Sequence, residues 1–375
     1  MASYASVTVA LLAGGCSFTA PVQVDAHVGG DVSSEGDSMG CFGTGASFTI
    51  CLPDLPTTPY AVSSPTTFDT GTDCTFTLTP PGGELVCVRA ATTIMISSQL
   101  TVVGTRPLVL VATMALQVTG AGTIDVASHR GGTLGGGTQS SGCTTSTPGA
   151  PLTTGGAGGG GGSFGTDGGD GGNGDGGNAA RGQAGVATPR PAFLRGGCRG
   201  GNGGAGGPGA TGGLGGAGGG AVYLLSGGTM TIAGVINASG AGATASPKPT
   251  TLNGGGAGGG GSGGMIALHA KTSLTVAGAK IFANGGGGAE GGDKPSDPDP
   301  GHDPLVTTPT VGGARGAGQA GAGGDGGNGA GGLTTADPGL QGNEGGGGGG
   351  GGVGVIEVLS GQPLTGATVS PPPSL

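Results

Sequence analysis

Two stretches of this chain place glycine at every third residue. The first runs Gly156, Gly159, Gly162, Gly165, Gly168, Gly171, Gly174 and Gly177, and the second Gly197, Gly200, Gly203, Gly206, Gly209, Gly212, Gly215 and Gly218. That period matches an extended left-handed helix with three residues per turn and no internal hydrogen bonds. One edge of such a helix bears no side chain, so a neighbour can come into backbone contact. The spacing predicts ordered rods packed side by side, not a flexible tether. Collagen shares the period but needs proline or hydroxyproline at about 15–20% or more, and Pro208 is the only proline in the second run.

Composition narrows the function classes. With 101 glycines, 25 prolines, no tryptophan and 3% aromatic residues, a large conventional core is not expected. Only 9% of residues are charged, whereas disordered chains rely on high charge and low hydropathy. The net charge of −9 argues against nucleic acid or anionic lipid headgroups as partners, because both require basic patches.

Four segments repeat one another. The first is Pro107–Val111, Leu116–Gly120 and Thr123–Ser128; the second is Ala221–Leu225, Met230–Gly234 and Val235–Gly240. The third is Met265–His269, Leu274–Gly278 and Lys280–Gly285, and the last, more degenerate, is Val355–Leu359, Leu364–Gly366 and Ala367–Ser370. An imperfect earlier copy runs from Leu85 through Ile94–Ile96 to Leu100–Val103. Each copy holds three short runs of alternating apolar residues with glycine, serine or asparagine at the corners, a strand pattern. Repetition at about twenty residues marks a solenoid in which stacking completes a core no single coil can bury. The expected fold is all-β, a parallel β-helix over 93–370 with no significant helix and a short tail at 371–375; the competing reading is a β-sandwich. Glycine-rich inserts at about 129–220, 240–264 and 285–352 leave this solenoid at one corner and are expected to form a layer beside it. As a polyglycine-II bundle, that layer resembles the glycine sandwich of certain phage tail-tip adhesins and insect antifreeze proteins.

The N-terminal residues point to export. An apolar run, Val7–Leu12, leads into Ala13-Gly14-Gly15-Cys16-Ser17, which resembles the lipobox of bacterial lipoproteins. That resemblance implies a signal peptide over 1–16, lipid on Cys16 and a chain anchored at the outer membrane or cell surface. The same residues also suit a cleaved signal without lipid or a buried strand. Residues 17–40 read as a flexible tether, and 41–92 as a small β unit of short strands broken by proline.

Cysteine usage supports export independently. Besides Cys16 there are Cys41, Cys51, Cys74, Cys87, Cys143 and Cys198, which permit fifteen pairings. Proximity favours Cys41–Cys51 and Cys74–Cys87, leaving Cys143–Cys198 to close the longest insert. No C-x-x-C spacing and no neighbouring histidine suggests zinc, so a disulfide framework is expected, with free thiols as the alternative.

Residues able to carry chemistry are few. The identical heptapeptides 168–174 and 323–329, Gly-Gly-Asp-Gly-Gly-Asn-Gly, superficially resemble a calcium-binding β-roll repeat and make Asp170, Asp175 and Asp325 weak calcium candidates. Calcium wants six to eight oxygens, so solvated turns are the plainer reading and no cofactor is expected. The acidic, proline-rich stretch Asp293–Pro304 reads as a solvated insert tip. For an enzyme acting on polysaccharide, the best cluster is Asp125 with His129 and Arg130; His269 with Lys271, and Glu357, are the other strand-borne candidates. No acid/base pair is evident among them.

Taken whole, the chain resembles glycine-rich surface lipoproteins of Gram-negative bacteria, on the Ala13–Cys16 box, the cysteine-bearing β unit, Ser128-His129-Arg130-Gly131-Gly132 and the glycine inserts. It is also similar to the glycine-repeat surface proteins of mycobacteria, without their helical head. The expected role is a non-enzymatic structural or adhesive surface module, with glycans or neighbouring surface components as partners and no nucleic acid. The alternatives are a polysaccharide lyase or hydrolase and, more remotely, an ice-binding protein.

Overall fold

Apolar alternation sets the strands, and their pairing sets everything that follows. The computed structural model describes residues 40–374 except 46, 139, 248–252, 294–296 and 318–322. The expected signal peptide with Cys16, and residues 17–39 of the expected tether, lie outside the described residues. A hairpin of β1 (Cys41–Phe42) and β2 (Ile50–Cys51) comes first, followed by β3 (Tyr60–Val62), β4 (Thr66–Asp69) and β5 (Phe76–Leu78). Then come β6 (Val86–Ile96), β7 (Gln99–Val103), β8 (Leu108–Val118) and β9 (Thr123–Asp125). The next two repeats supply β10 (Ala221–Ser226), β11 (Thr229–Ile232) and β12 (Val235–Asn237), then β13 (Met265–Ala270), β14 (Ser273–Val276) and β15 (Lys280–Phe282). β16 (Val355–Val358) and β17 (Thr368–Ser370) close the series. The only helical turn among the described residues is the 3-10 turn Asp175–Gly177.

The protein is almost entirely β, with two large and predominantly parallel sheets. One has nine strands and holds β6, β8, β10, β13 and β16 in succession; the other has six, in the order β17-β15-β12-β9-β7-β4. The register matches the repeat alignment: Leu108 pairs with Val222, Val222 with Ile266 and Ile266 with Ile356. Three strands per repeat are found in the second and third repeats. In the first, two of the expected runs merge into the single long strand β8, with which β10 and β11 both pair, and in the last the expected run Leu364–Gly366 is not a strand. In the last repeat the alignment slips by one residue, since Ile281 pairs with Val369 and not with Thr368. Thr368 lacks the apolar side chain that the interior needs there, and Val369 supplies it.

A boundary expected at 92/93 is not a boundary. It falls inside β6, and β3 and β4 pair in parallel with β6 and β7. Residues 60–69 therefore extend the two sheets by one more layer.

Alternate residues of the nine-stranded sheet enter two cores. Leu108, Leu110, Val222, Leu224, Ile266, Leu268 and Ile356 pack inward with Ile124, Ile236 and Ile281 of the six-stranded sheet. Val109, Val111, Tyr223, Leu225, Met265 and Ala267 face the other way and are covered by Ile50, Leu52, Phe164 and Leu194. Tyr223 marks this second core: its hydroxyl donates to the Phe48 carbonyl at 3.2 Å, and its ring meets Phe48 edge-on at 5.8 Å. Burying one such side chain contributes about 1.5–3 kcal/mol, so packing holds the N-terminal hairpin on the sheet, while the Cys41–Cys51 bond staples its two strands to each other.

The glycine-rich inserts are ordered, and their hydrogen bonds follow the triplet period. Along 156–162 the backbone N–H groups turn through three directions in succession. Gly156, Gly159 and Gly162 donate to Gly254, Ala257 and Gly260, Ala157 and Gly160 to Ala150 and Thr147, and Gly158 and Gly161 to Gly172 and Gly169. The carbonyls of this segment accept from Gly346, Gly349 and Gly352, from Gly204 and Gly201, and from Gly182. Segment 156–162 is thus surrounded by six others. Segments 254–264, 285–292 and 345–352 are enclosed in the same way.

Enclosure explains where glycine is obligatory. In 345–352 every residue is glycine, and a Cβ added at Gly348 would meet the Gly258 carbonyl oxygen at 1.8 Å. A segment with four neighbours, such as 168–174, repeats Gly-Gly-Asp and Gly-Gly-Asn, with the third side chain facing out. Segment 181–187, bonded to three neighbours, keeps only Gly182 and Gly185. Residues 299–302, expected at a solvated tip, form another such rod: Glu290 N–H donates to the Asp299 carbonyl, Gly287 to His302, and Gly301 to Ala243. Asp–Pro pairs favour extended backbone, and extended backbone is what the lattice accepts.

The outer rods are closed by their own side chains. Asn202 Oδ1 accepts the Gly215 N–H at 3.0 Å, Asn173 Oδ1 the Arg181 N–H at 3.0 Å and Asn328 Oδ1 the Arg315 N–H at 3.1 Å. The Cys143–Cys198 disulfide, which spans 55 residues, ties an outer segment to the 196–206 rod. Beside it the buried Arg195 guanidinium lies 4.4 Å over the Phe164 ring and donates to the Gly142 carbonyl. The Cys74–Cys87 bond holds the β5–β6 hairpin region.

Candidate functional site

Asp125 ends β9, beside Asn237 of β12. Its Oδ1 accepts the Ala127 N–H and the Asn237 amide, each at 3.2 Å, leaving Oδ2 for His129, four residues on. His129 Nε2 lies 3.2 Å from that oxygen, and Nδ1 lies 3.5 Å from Asp303 Oδ2. Asp303 also accepts the N–H of Gly242 at 2.8 Å and that of Arg130 at 3.2 Å. The imidazole is thus clasped between carboxylates on its two nitrogens, one from the first repeat and one from the third insert.

The electrostatics follow from this clasp. Hydrogen bonds to Asp125 and then Asp303 outweigh burial and push the His129 pKa up to about 10. Burial pushes Asp303 up, but His129 and the N–H groups of Gly242 and Arg130 overcome it and hold it below its ordinary value. At neutral pH His129 is therefore a fixed cation with both nitrogens donating, unable to serve as a general base. The two carboxylates sit on opposite sides of the ring and do not face a common point. Among the described residues no group of three or more His, Cys, Asp and Glu side chains is placed to hold a metal ion.

His129 also lines a cleft of about 240 Å³ with Arg130, Leu134, Arg199, Leu214 and Thr244. The turn that carries Arg130 is tight: Gly132 N–H donates to the His129 carbonyl at 3.1 Å, and Gly131 sits at φ +67°. Opposite, Arg199 is aligned by its Nε donating to the Gly215 carbonyl at 3.1 Å.

The other sequence candidates lie apart from this cleft. Glu357 on β16 pairs with Ala267 of β13, in the nine-stranded sheet, and shares a cleft of about 630 Å³ with Arg190 and Pro373. Burial raises its pKa, opposed by Arg190. Burial also lowers that of His269, whose β13 position pairs with Leu225, and Lys271 follows the end of that strand. Asp125 stands in the other sheet, so the structure does not assemble these residues into one site.

The calcium candidates are engaged elsewhere. Asp170 Oδ2 pairs with Arg181 at 3.3 Å while Oδ1 accepts the Ala184 N–H at 3.0 Å, and Asp325 pairs with Arg315 at 3.4 Å. Asp175 bonds Asn178 on the 3-10 turn. The matching heptapeptides thus occupy matching places at the lattice edge, each meeting an arginine of the next rod.

Asp303, Arg199 and Leu214 escape sequence reasoning, because contacts such as Arg130 to Asp303 span 173 residues. No family model matches this chain, and no curated protein or solved structure is significantly similar to it. Among the described residues no helix is long and apolar enough to cross a membrane.

Proposed function

We propose that this chain is a surface-displayed structural or adhesive module: a parallel β-helix whose corner insertions form a polyglycine-II lattice, tethered through lipid on Cys16. The observation that carries the reading is the enclosure of 156–162, 254–264, 285–292 and 345–352, each by six hydrogen-bonded neighbours. Backbone donors that rotate with a three-residue period are what a left-handed threefold helix requires. Parallel stacking of the first and third apolar runs of each repeat on their counterparts in the next supports the solenoid.

Such a lattice is rigid and presents side chains at fixed intervals. Arg199, Asn202 and Ala205 on one rod, and Thr211 and Leu214 on the next, are exposed at three-residue spacing, about 9 Å along the rod. Fixed spacing of exposed groups suits repeated contact with a polymer or surface, because little ordering entropy is lost on binding. The disulfides fit an oxidising compartment.

Display on a bacterial host tests this reading. Cells carrying the chain should adhere to glycan-coated surfaces, and Gly158→Ala with Gly348→Ala, which breaks the lattice, should remove adhesion. Labelled fatty acid should enter the protein and be lost in Cys16→Ser. Equal adhesion by both strains would refute the adhesive reading, and absence of label the lipid tether.

A further inference from the structure

We infer that the cleft between the 129–134 turn and the rods at 214–217 and 241–244 binds the anionic group of an acidic polysaccharide, with Arg130 and Arg199 as its contacts. This deepens the adhesive reading above and rests on it. The chain carries a net charge of −9, yet this cleft is lined by His129, Arg130 and Arg199 and by no carboxylate. Asp125 and Asp303 do not line it, and both are taken up by His129.

The other described arginines are committed. Arg181 and Arg315 pair with Asp170 and Asp325. Arg89 lies 4.5 Å over Tyr60 and Arg195 over Phe164. Arg106 bonds the Thr70 carbonyl at 3.0 Å, and Arg190 shares its cleft with Glu357. Among the described residues, Arg106, Arg130 and Arg199 are the arginines whose side chains have no such acidic or aromatic partner; Arg106 is held by the Thr70 and Gly71 carbonyls, whereas Arg130 and Arg199 open onto the same cleft.

Guanidinium groups match the planar or trigonal oxygens of a carboxylate or sulfate through paired N–H donors. Arg199 is already aligned by Gly215, so less freedom is lost on binding. Leu214, 55% exposed at the rim, offers an apolar face to a sugar ring, and Gly215 and Gly216 leave the floor without side chains. Nucleic acid fits poorly, since it requires many cations along a tract of phosphates. A cleft of about 240 Å³ lies below the ~300–1,000 Å³ of enclosing ligand sites, which suits one charged unit of a longer polymer.

The test measures binding of the full chain to immobilised polyuronate, dextran sulfate and neutral dextran. Retention on one or both charged polymers and not on dextran is expected, and comparing the two charged arms identifies carboxylate or sulfate as the preferred group. Arg130→Ala with Arg199→Ala should weaken binding at least tenfold; Arg→Lys at both sites should weaken it several-fold, because the paired donors are lost. Both side chains are exposed, and an unchanged hydrogen-exchange pattern in the rods verifies that the variants fold. Equal binding by the double alanine variant, or no retention of the wild-type chain on either charged polymer, overturns the inference. Displayed cells separate it from the adhesive reading. If the double alanine variant adheres as well as wild type, the cleft is refuted and adhesion stands. If wild-type cells do not adhere while the chain binds acidic polymer, adhesion is refuted and the cleft stands.

Discussion

His129 and Asp303 stand 3.5 Å apart although one follows the first repeat and the other belongs to the third insert. Through this contact and the Gly242 N–H that Asp303 also accepts, the mouth of one insert is fastened to rods from two others. The pH dependence follows from the shifts. His129 is raised from 6.5 to about 10, so its contribution is complete below about pH 6.5 and disappears as pH climbs through about 10. Asp303 is depressed, so its contribution is present above the ordinary carboxylate range and is lost as pH falls below it. His129→Gln should destabilise the chain by at most about 1 kcal/mol at pH 6, because the side chain is 39% exposed and solvent screens it. Urea midpoints measured across pH should converge with wild type above pH 10; a constant gap would count against the ion pair.

Interior glycine should be intolerant of even one methyl group. Gly348→Ala places a Cβ 1.8 Å from the Gly258 carbonyl oxygen, and such overpacking costs about 1–3 kcal/mol or more. Leu214→Ala, on an exposed position, should change stability by less than about 0.5 kcal/mol. Denaturant titration of the two variants distinguishes a packed lattice from a loose one.

The capping side chains should keep the lattice from growing. Replacing Asp170, Asn173, Asn202 and Asn328 by alanine removes the acceptors that cover the N–H groups of Ala184, Arg181, Gly215 and Arg315. Each loss should cost about 1 kcal/mol and speed exchange at those amides. Exposed backbone donors also invite pairing between copies, so light scattering should report association that the wild-type chain does not show.

Loss of the Cys143–Cys198 bond should loosen the lattice more than the sheets. Its 55-residue span predicts about 4 kcal/mol from loop closure in the unfolded state. In Cys143→Ser with Cys198→Ser, hydrogen exchange should rise across 142–206 while β8, β10 and β13 stay protected. Uniform loss across the chain would contradict this.

Strand register was legible because it is a local matter. An apolar run of fixed period aligns with its next copy whatever lies between, and so Leu108, Val222, Ile266 and Ile356 could be superposed by eye. The one slip, at Thr368 and Val369, occurs where the copy is most degenerate. The clasp at His129 was only half legible: Asp125 lies four residues away, whereas Asp303 arrives from a stretch that reads as solvent-exposed by composition.

The glycine triplets alone determine that rods form, that one edge of each is bare, and that side chains recur every third residue. Those are properties of a single backbone. The tertiary structure decides which rods are enclosed, which lie at the edge, and which side chains close the edge. Neighbour identity depends on how three inserts leave the sheets and fold back beside one another, a relation between distant segments that no local period encodes. Gly348 and Leu214 both sit within glycine triplets; only the first is walled in on every side.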